Sequence, residues 1–436
     1  MKRYFFPRNL ADKVADRWNH LVIGQYDLPP CPSRKVLKQI LEVCYLASLE
    51  TEEARQLIFS ICCTPEIDEV RCHNSNDLVE AWAFDSDRAL TIGEVRRLAT
   101  TASSESVAIW LRYVDQPDPK AVIHGLINPG SSWMTARRAL SYSYASPPSA
   151  LIIRVSGPGR LAIYQGLFRI ATLSSGHIKL SSPEDTPAIS FYGVHSFFEE
   201  GTALLREYIE PPQYEPLNEW YNFEWICYLN VIVGIVNIIQ QMKHGGTLVL
   251  IRQSFISEEN FETIFRIKYR FSRNTYPLRE RYIDFLQKRQ YIADAYYATE
   301  GEAPDTNPLD ALALLRSEKS LQDTIAFIGN LSGTDGAIVM TNTLELIGFG
   351  AEIASSHTYP NKVYTSVDLL GRKKQEFDVQ QFGMRHRSAL RLCASTDQVF
   401  AFVVSQDGDV SIVWRSGDNI MIKRNIDITN ANMVLA

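Results

Sequence analysis

Apolar residues from Ser33 to Ala54 (Val36, Leu37, Ile40, Leu41, Val43, Leu46) recur at helical spacing, and Ile58 to Cys62 then reads as a strand. A second helix is expected after Thr91, an N-cap with Glu94 three positions on, ahead of strand-like runs at Val107 to Tyr113 and Ala121 to Ile127. Residues 150–180 alternate short apolar runs with glycine turns, the pattern of antiparallel hairpins. Helical periodicity returns from Phe197 to Tyr208. The run Glu210 to Pro216, three prolines in seven residues, then reads as a linker, which puts a domain boundary near residue 212.

Beyond it we expect a long helix, a strand at Thr247 to Ile251, a charge-rich helical stretch from Ser257 to about Arg289, a polar loop from Ala298 to Asn307, and a helix ending near Leu331. The last hundred or so residues read strand, strand, helix, strand, strand, with segments AIVMT, LELIGFGAEI, SALRLCAS, VFAFVVS and VSIVW. The expected fold class is α/β (α+β): a C-terminal mixed β-sheet flanked by helices, residues 216–436, preceded by an α+β region over 1–212. That first region is one unit or two, divided at about 105/106.

A chain of 436 residues exceeds one ordinary compact core, and 45% hydrophobic with 22% charged residues is the make-up of folded protein. The net charge of −6 comes without a lysine or arginine block, so nucleic acid is not an expected partner and any anion site must be local. Seven irregularly spaced cysteines point to free thiols and a reducing, cytoplasmic location. Cys62, Cys63, Cys72 and His73 match no common zinc spacing. Trp225 to Ile239 is apolar but only 15 residues long, short of the ~20 needed to span a bilayer, and Glu219, Glu224 and Lys243 flank it. A buried core helix is expected there, with no membrane partner.

Two segments exceed what a scaffold needs. Gly333-Thr334-Asp335-Gly336-Ala337 stands immediately before a strand, and Gly383-Met384-Arg385-His386-Arg387-Ser388-Ala389 immediately before a helix. A glycine turn opening a helix leaves backbone N–H groups and the positive dipole end free for a polyphosphate, and arginine forks match phosphate oxygens. An aspartate at a strand edge can hold a divalent metal or a ribose hydroxyl. Taken singly, Asp-Gly is ordinarily a turn and Arg-His-Arg a solvated helix start; together they form a candidate triphosphate site.

The pair Asp335-Gly336-Ala337 and Arg385-His386-Arg387 resembles the signature of the diadenylate cyclases. His244-Gly245-Gly246-Thr247-Leu248, Gly348-Phe349-Gly350-Ala351 and Val404-Ser405-Gln406-Asp407-Gly408 are similar to that family as well, so the likeness spans about residues 216–430. Ala47 to Arg55 and Ser156-Gly157-Pro158-Gly159 resemble a sensor-type region found ahead of such cyclases. The resemblance implies a cyclase-type mixed sheet that condenses two ATP into cyclic di-AMP and two pyrophosphates under the control of a sensor region with its own ligand. It also implies Mg2+ or Mn2+ and a homodimer or higher homo-oligomer in which two domains face each other.

By residue, the resemblance implies that Asp335, in the Gly336-Ala337 turn, binds the metal and positions a ribose 3′-hydroxyl. Arg385, His386 and Arg387 hold the triphosphate, and His386 also approaches the metal. Ser405 adds a phosphate contact, Gly383, Gly350 and Gly246 shape the nucleotide site, and backbone near Ile353 lines the adenine pocket. Three departures stand out. Met384 replaces the usual threonine, with Ser388 as a substitute hydroxyl; Arg372-Lys373-Lys374 lies in a longer Glu352 to Gln381 stretch; and Gln406-Asp407 follows the serine. An alternative reading is therefore a catalytically inactive or altered nucleotide-binding regulatory module that keeps the cyclase fold.

Overall fold

A computed structural model describes residues 4–18, 31–52, 55–64, 80–102, 107–128, 150–165, 168–180, 195–259, 261–272, 276–299, 308–354, 362–366, 374–379, 382–406, 408–424 and 426. Cys72, His73, Arg372, Lys373, Asp407 and all but the first two residues of the 298–307 loop lie outside them. The chain divides into two compact units, Met1–Pro183 (with Ala436) and Glu184–Leu435.

The first unit opens with helices α1 (Pro7–Arg17) and α2 (Arg34–Ser48), the latter capped by the Ser33 side chain, which accepts from the Val36 N–H. A short hairpin, β1 (Thr51–Glu52) and β2 (Arg55–Gln56), leads to β3 (Phe59–Cys63) and β4 (Glu80–Ala89). Helix α3 (Ile92–Ala99) starts at Thr91, whose hydroxyl accepts from the Glu94 N–H as the sequence suggests. β5 (Ala108–Val114), β6 (Lys120–Asn128), β7 (Leu151–Gly157), β8 (Arg160–Gln165), β9 (Phe168–Ser174) and β10 (His177–Leu180) complete one sheet of order β10-β9-β8-β7-β3-β5-β6-β4.

Alternation along the strands sends Ile61, Ile109, Leu111, Ile123 and Ile153 to the face covered by Leu10, Val14, Leu37, Ile40 and Leu41 of the two long helices. Cys62, Trp110, Ile127 and Ile152 form a second apolar cluster. Because residues before and after position 105 share this sheet, with β3 parallel to β5, a division of the N-terminal region near 105/106 does not hold.

In the second unit, α4 (His195–Arg206) and α5 (Leu217–Gln241) precede β11 (Gly246–Ile251). A single turn, α6 (Phe261–Ile264), β12 (Phe265–Arg270), and two long helices, α7 (Pro277–Ala298) and α8 (Pro308–Asn330), follow. Then come β13 (Ala337–Thr341), β14 (Leu346–Ile353), β15 (Val363–Ser366), β16 (Lys374–Phe377), α9 (Met384–Ser395), β17 (Val399–Val404), β18 (Val410–Ser416) and β19 (Asn419–Lys423). The sheet order is β12-β14-β13-β11-β17-β18-β19-β15-β16, with β11–β13 and β15–β19 parallel and the other neighbours antiparallel. This is the mixed sheet flanked by helices that the pattern predicts.

β11 is buried at every position, as a central strand covered on both faces must be. Val249 and Ile251 join Ala389, Leu390, Leu392 and Cys393 of α9 in one core, while α5 also contacts β11. Of the described helices, only α5 is long and apolar enough to cross a membrane. Its most apolar window is 78% buried within the protein, as a core helix would be. Two expectations need correction here. β12 interrupts the expected 257–289 helix, and the residues near 212 lie inside the second unit because α4 packs on it through Phe197, Phe198 and Leu205.

Candidate functional site

Sheet register gathers the motif residues. Thr247 of β11 pairs with Ala337 of β13 on one side and Val403 of β17 on the other. The Asp335 turn, the His244-Gly245-Gly246 turn and the Ser405 loop therefore emerge at the same end of three adjacent strands. At the usual inter-strand spacing, the outer two are separated by about 10 Å.

Contacts between the turns are tight. Gly336 has φ +117°, and a Cβ there would lie 2.5 Å from the Gly350 carbonyl carbon, so the Asp-Gly-Ala turn sits directly on the glycine bend of β14. Gly350 itself has φ +65°, next to a register shift between β13 and β14. A Cβ on Gly246 would meet the Ser332 Cβ at 3.2 Å, and one on Gly245 (φ +72°) would meet Arg385 Nη1 at 3.0 Å and the Gln406 backbone N at 3.1 Å. Ser332, the glycine pair, Arg385 and the Gln406 backbone thus lie against one another.

Helix α9 begins at Gly383 with no side-chain cap, and a Cβ on Gly383 would meet nothing within 4 Å. The helix start faces open space with two arginines in its first turn, where positive charge opposes the dipole unless an anion is present. Arg385 is exposed and, like Asp335, makes no hydrogen bond or ion pair among the described residues. Three buried polar atoms in this neighbourhood have no protein partner among the described residues: Arg387 Nε, Ser332 Oγ and His244 Nε2. Leaving such a group unmet costs about 1–3 kcal/mol unless water or a ligand meets it, and Gln165, Asn230 and Ser317 carry atoms in the same condition away from this end. His244 Nδ1 lies 2.7 Å from the Gly245 carbonyl oxygen, an acceptor only, so Nδ1 carries the hydrogen and Nε2 of the neutral ring is the acceptor.

His386 behaves unlike its neighbours. Its Nε2 lies 3.1 Å from Ser411 Oγ on β18, and its ring stacks on Phe382 at 5.5 Å. Burial, together with the nearby Arg424, lowers its pKa to about 4, so it contributes no positive charge at pH 7. Ser405 accepts from the Asp409 N–H through its hydroxyl, and its O–H remains able to donate. Ser388 is half-buried in α9, Ile353 ends β14 opposite Phe265, and Met384 is 78% exposed.

Among the described residues no group of three His, Cys, Asp or Glu gathers at this end or at any other, and the Asp335 carboxylate is exposed and unengaged. A cation bound there would draw most of its ligands from phosphate oxygens and water, the usual habit of Mg2+. Sequence reasoning passed over Ser332, Ser411, Phe382 and Arg424. Only Ser332 carried a signal, its position three residues before Asp335.

Residues 26–128 match the model of a family described as the probable sensor domain DACNV. A sensor-type region therefore precedes the unit that carries the Asp335 site. No curated protein matches the chain. Among solved structures, the chain is similar to a double cysteine mutant of DacA from Staphylococcus aureus at 14% identity, over 48% of this chain and 93% of that one, with a TM-score of 0.23.

Proposed function

We propose that this chain is a diadenylate cyclase whose C-terminal unit condenses two ATP molecules into cyclic di-AMP, with release of two pyrophosphates, under control of the N-terminal sensor unit. The observation that carries the reading is the meeting of the Asp335 turn, the Gly245-Gly246 turn and the Arg385 helix start, with the orphaned Arg387 Nε, at one sheet end.

In this reading Arg385 and Arg387 grip the triphosphate and Ser405 donates to it. Asp335 orients the ribose 3′-hydroxyl, and Ile353 backbone and Gly350 border the base. The 3′-oxygen forms a bond to the α-phosphorus of a second ATP as the bond to pyrophosphate breaks, and the hydroxyl proton leaves through Asp335 to solvent. Such transfer depends on in-line positioning and charge neutralisation rather than on a covalent protein intermediate. Mg2+ or Mn2+, when bound, acidifies the hydroxyl and screens the phosphates. A two-fold symmetric product calls for two facing sites, hence a homodimer or larger assembly. Free thiols at Cys44, Cys62, Cys63, Cys227 and Cys393 support a cytoplasmic location.

Met384 in place of a hydroxyl residue favours a second reading, a regulatory module that binds ATP without turnover. Incubating the full chain with ATP and Mn2+, followed by mass spectrometry, separates the two. Cyclic di-AMP that disappears in Asp335→Asn supports the cyclase; ATP binding without product supports the module, and neither binding nor product removes both.

A further inference from the structure

The middle residue of the basic triplet faces a different way from its neighbours. Arg385 and Arg387 carry guanidinium groups without protein partners among the described residues, whereas the His386 ring is engaged on two sides. Ser411, 1% exposed and in the middle of the sheet opposite Val403, meets its Nε2. Phe382, 5% exposed, stacks on the ring and in turn lies 5.3 Å from Phe377. The Arg424 guanidinium sits over both phenylalanines, 5.4 Å from the centre of Phe382 and 5.7 Å from that of Phe377. Ser411 and Phe382 thus hold the imidazole on two sides beneath the first turn of α9, with Phe377 and Arg424 packed behind Phe382.

We propose that His386 is a positioning residue rather than a phosphate or metal ligand, and that Ser411 is the anchor through which it fixes the first turn of α9 and the direction of Arg385 and Arg387. Residues one position apart on a helix point about 100° from each other. A ring held to the sheet at position 386 therefore sends the side chains at 385 and 387 to either side of it, where two guanidinium groups can flank one phosphate chain. The backbone alone offers little to hold this turn, since Gly383 supplies no side-chain cap and has open space around it.

What the arginines hold rests on the nucleotide reading above; the anchor itself does not. The test compares full-length wild type with Ser411→Ala, Ser411→Thr, His386→Gln and His386→Ala. Glutamine puts an amide nitrogen close to where Nε2 stood but cannot serve as a cationic or metal-ligating imidazole. Three quantities are measured: binding of a non-hydrolysable ATP analogue with Mn2+, KM and kcat for product formation, and hydrogen exchange of peptides spanning 383–391.

Loss of one hydrogen bond in Ser411→Ala should weaken analogue binding and raise KM roughly three- to tenfold, with a smaller change in kcat and faster exchange in α9. Ser411→Thr and His386→Gln should restore most of each. The proposal is overturned if His386→Gln loses analogue binding as completely as His386→Ala while Ser411→Ala behaves as wild type, which would mean the ring touches the ligand. It is also overturned if Ser411→Ala changes neither binding nor exchange. Should wild type neither bind nor convert ATP, the nucleotide reading fails while the exchange data still decide the anchor.

Discussion

Gly336→Ala offers the sharpest test of the Asp-Gly-Ala turn. The glycine has φ +117°, a conformation that costs an alanine about 1–3 kcal/mol. The added Cβ would sit 2.5 Å from the Gly350 carbonyl carbon and 2.8 Å from both Gly350 Cα and the Ala351 N, all backbone atoms of a paired strand that cannot rotate away. Relieving that overlap means moving β14 against β13, an overpacking strain of about 1–3 kcal/mol more. A total of roughly 2–6 kcal/mol lowers the melting temperature of a unit this size by roughly 5–20 °C. The built-in control is Gly333→Ala, three residues away, whose Cβ would meet only Met242 Cε at 3.5 Å. It should stay within about 0.5 kcal/mol of wild type. Thermal and urea melts of the three full-length proteins measure both. A Gly336→Ala protein that melts with wild type, or a Gly333→Ala protein that suffers equally, would refute the close approach of the two glycine turns.

Arg385→Ala and Arg387→Ala should each weaken binding of an ATP analogue at least tenfold, in keeping with about 1.5–3 kcal/mol for a charge-assisted bond, and leave the melting temperature near that of wild type; calorimetric titration measures it. Met384→Thr should raise product formation several-fold if the missing hydroxyl limits the site, as assayed by mass spectrometry. A fragment beginning at residue 213 loses burial of Phe197, Phe198 and Leu205, about 5–9 kcal/mol, so it should be insoluble or molten while 184–436 folds; circular dichroism and gel filtration compare them. His386 has its pKa lowered to about 4, so its contribution to stability is complete above pH 6.5 and fades as pH falls toward 4, when the unfolded chain takes the proton. Urea midpoints should show His386→Gln losing less than wild type over that window, by at most about 3 kcal/mol because the partly exposed ring is screened by solvent.

Much of this architecture is visible in the pattern of residues, and the misses have physical causes. Thr91 with Glu94, the hairpins of 150–180 and the strands flanking α9 all announce themselves through local geometry, a cap or a period of two. β12 hid in a charge-rich stretch because Arg266, Lys268 and Arg270 dominate the eye, although Phe265, Ile267 and Tyr269 alternate with them as a strand should. The proline run near 212 looked like a linker because its composition is that of one. Its role is set instead by tertiary contacts. Asp294 of α7 accepts from the N–H groups of Gln213, Tyr214 and Glu215, and Glu215 pairs with Arg289. No local pattern encodes an aspartate 80 residues away.

The candidate site divides along the same line. Asp335, Gly336, Arg385 and Arg387 could be singled out because glycine turns and clustered charge are costly without a purpose. Ser332 and Ser411 could not, since a serine looks alike in a turn, on a surface or beneath a helix. What distinguishes them is register. Ser411 faces Val403 across one strand pair while Thr247 faces Val403 across the next, so the residue that holds His386 and the turn that abuts Arg385 are tied to the same rung of the sheet. A one-residue slip of β18 would turn Ser411 to the opposite face of the sheet and remove the anchor from α9 while leaving every motif intact. The placement of the basic triplet therefore depends on a pairing register set by the buried alternation of Val399, Ala401 and Val403 against Val413.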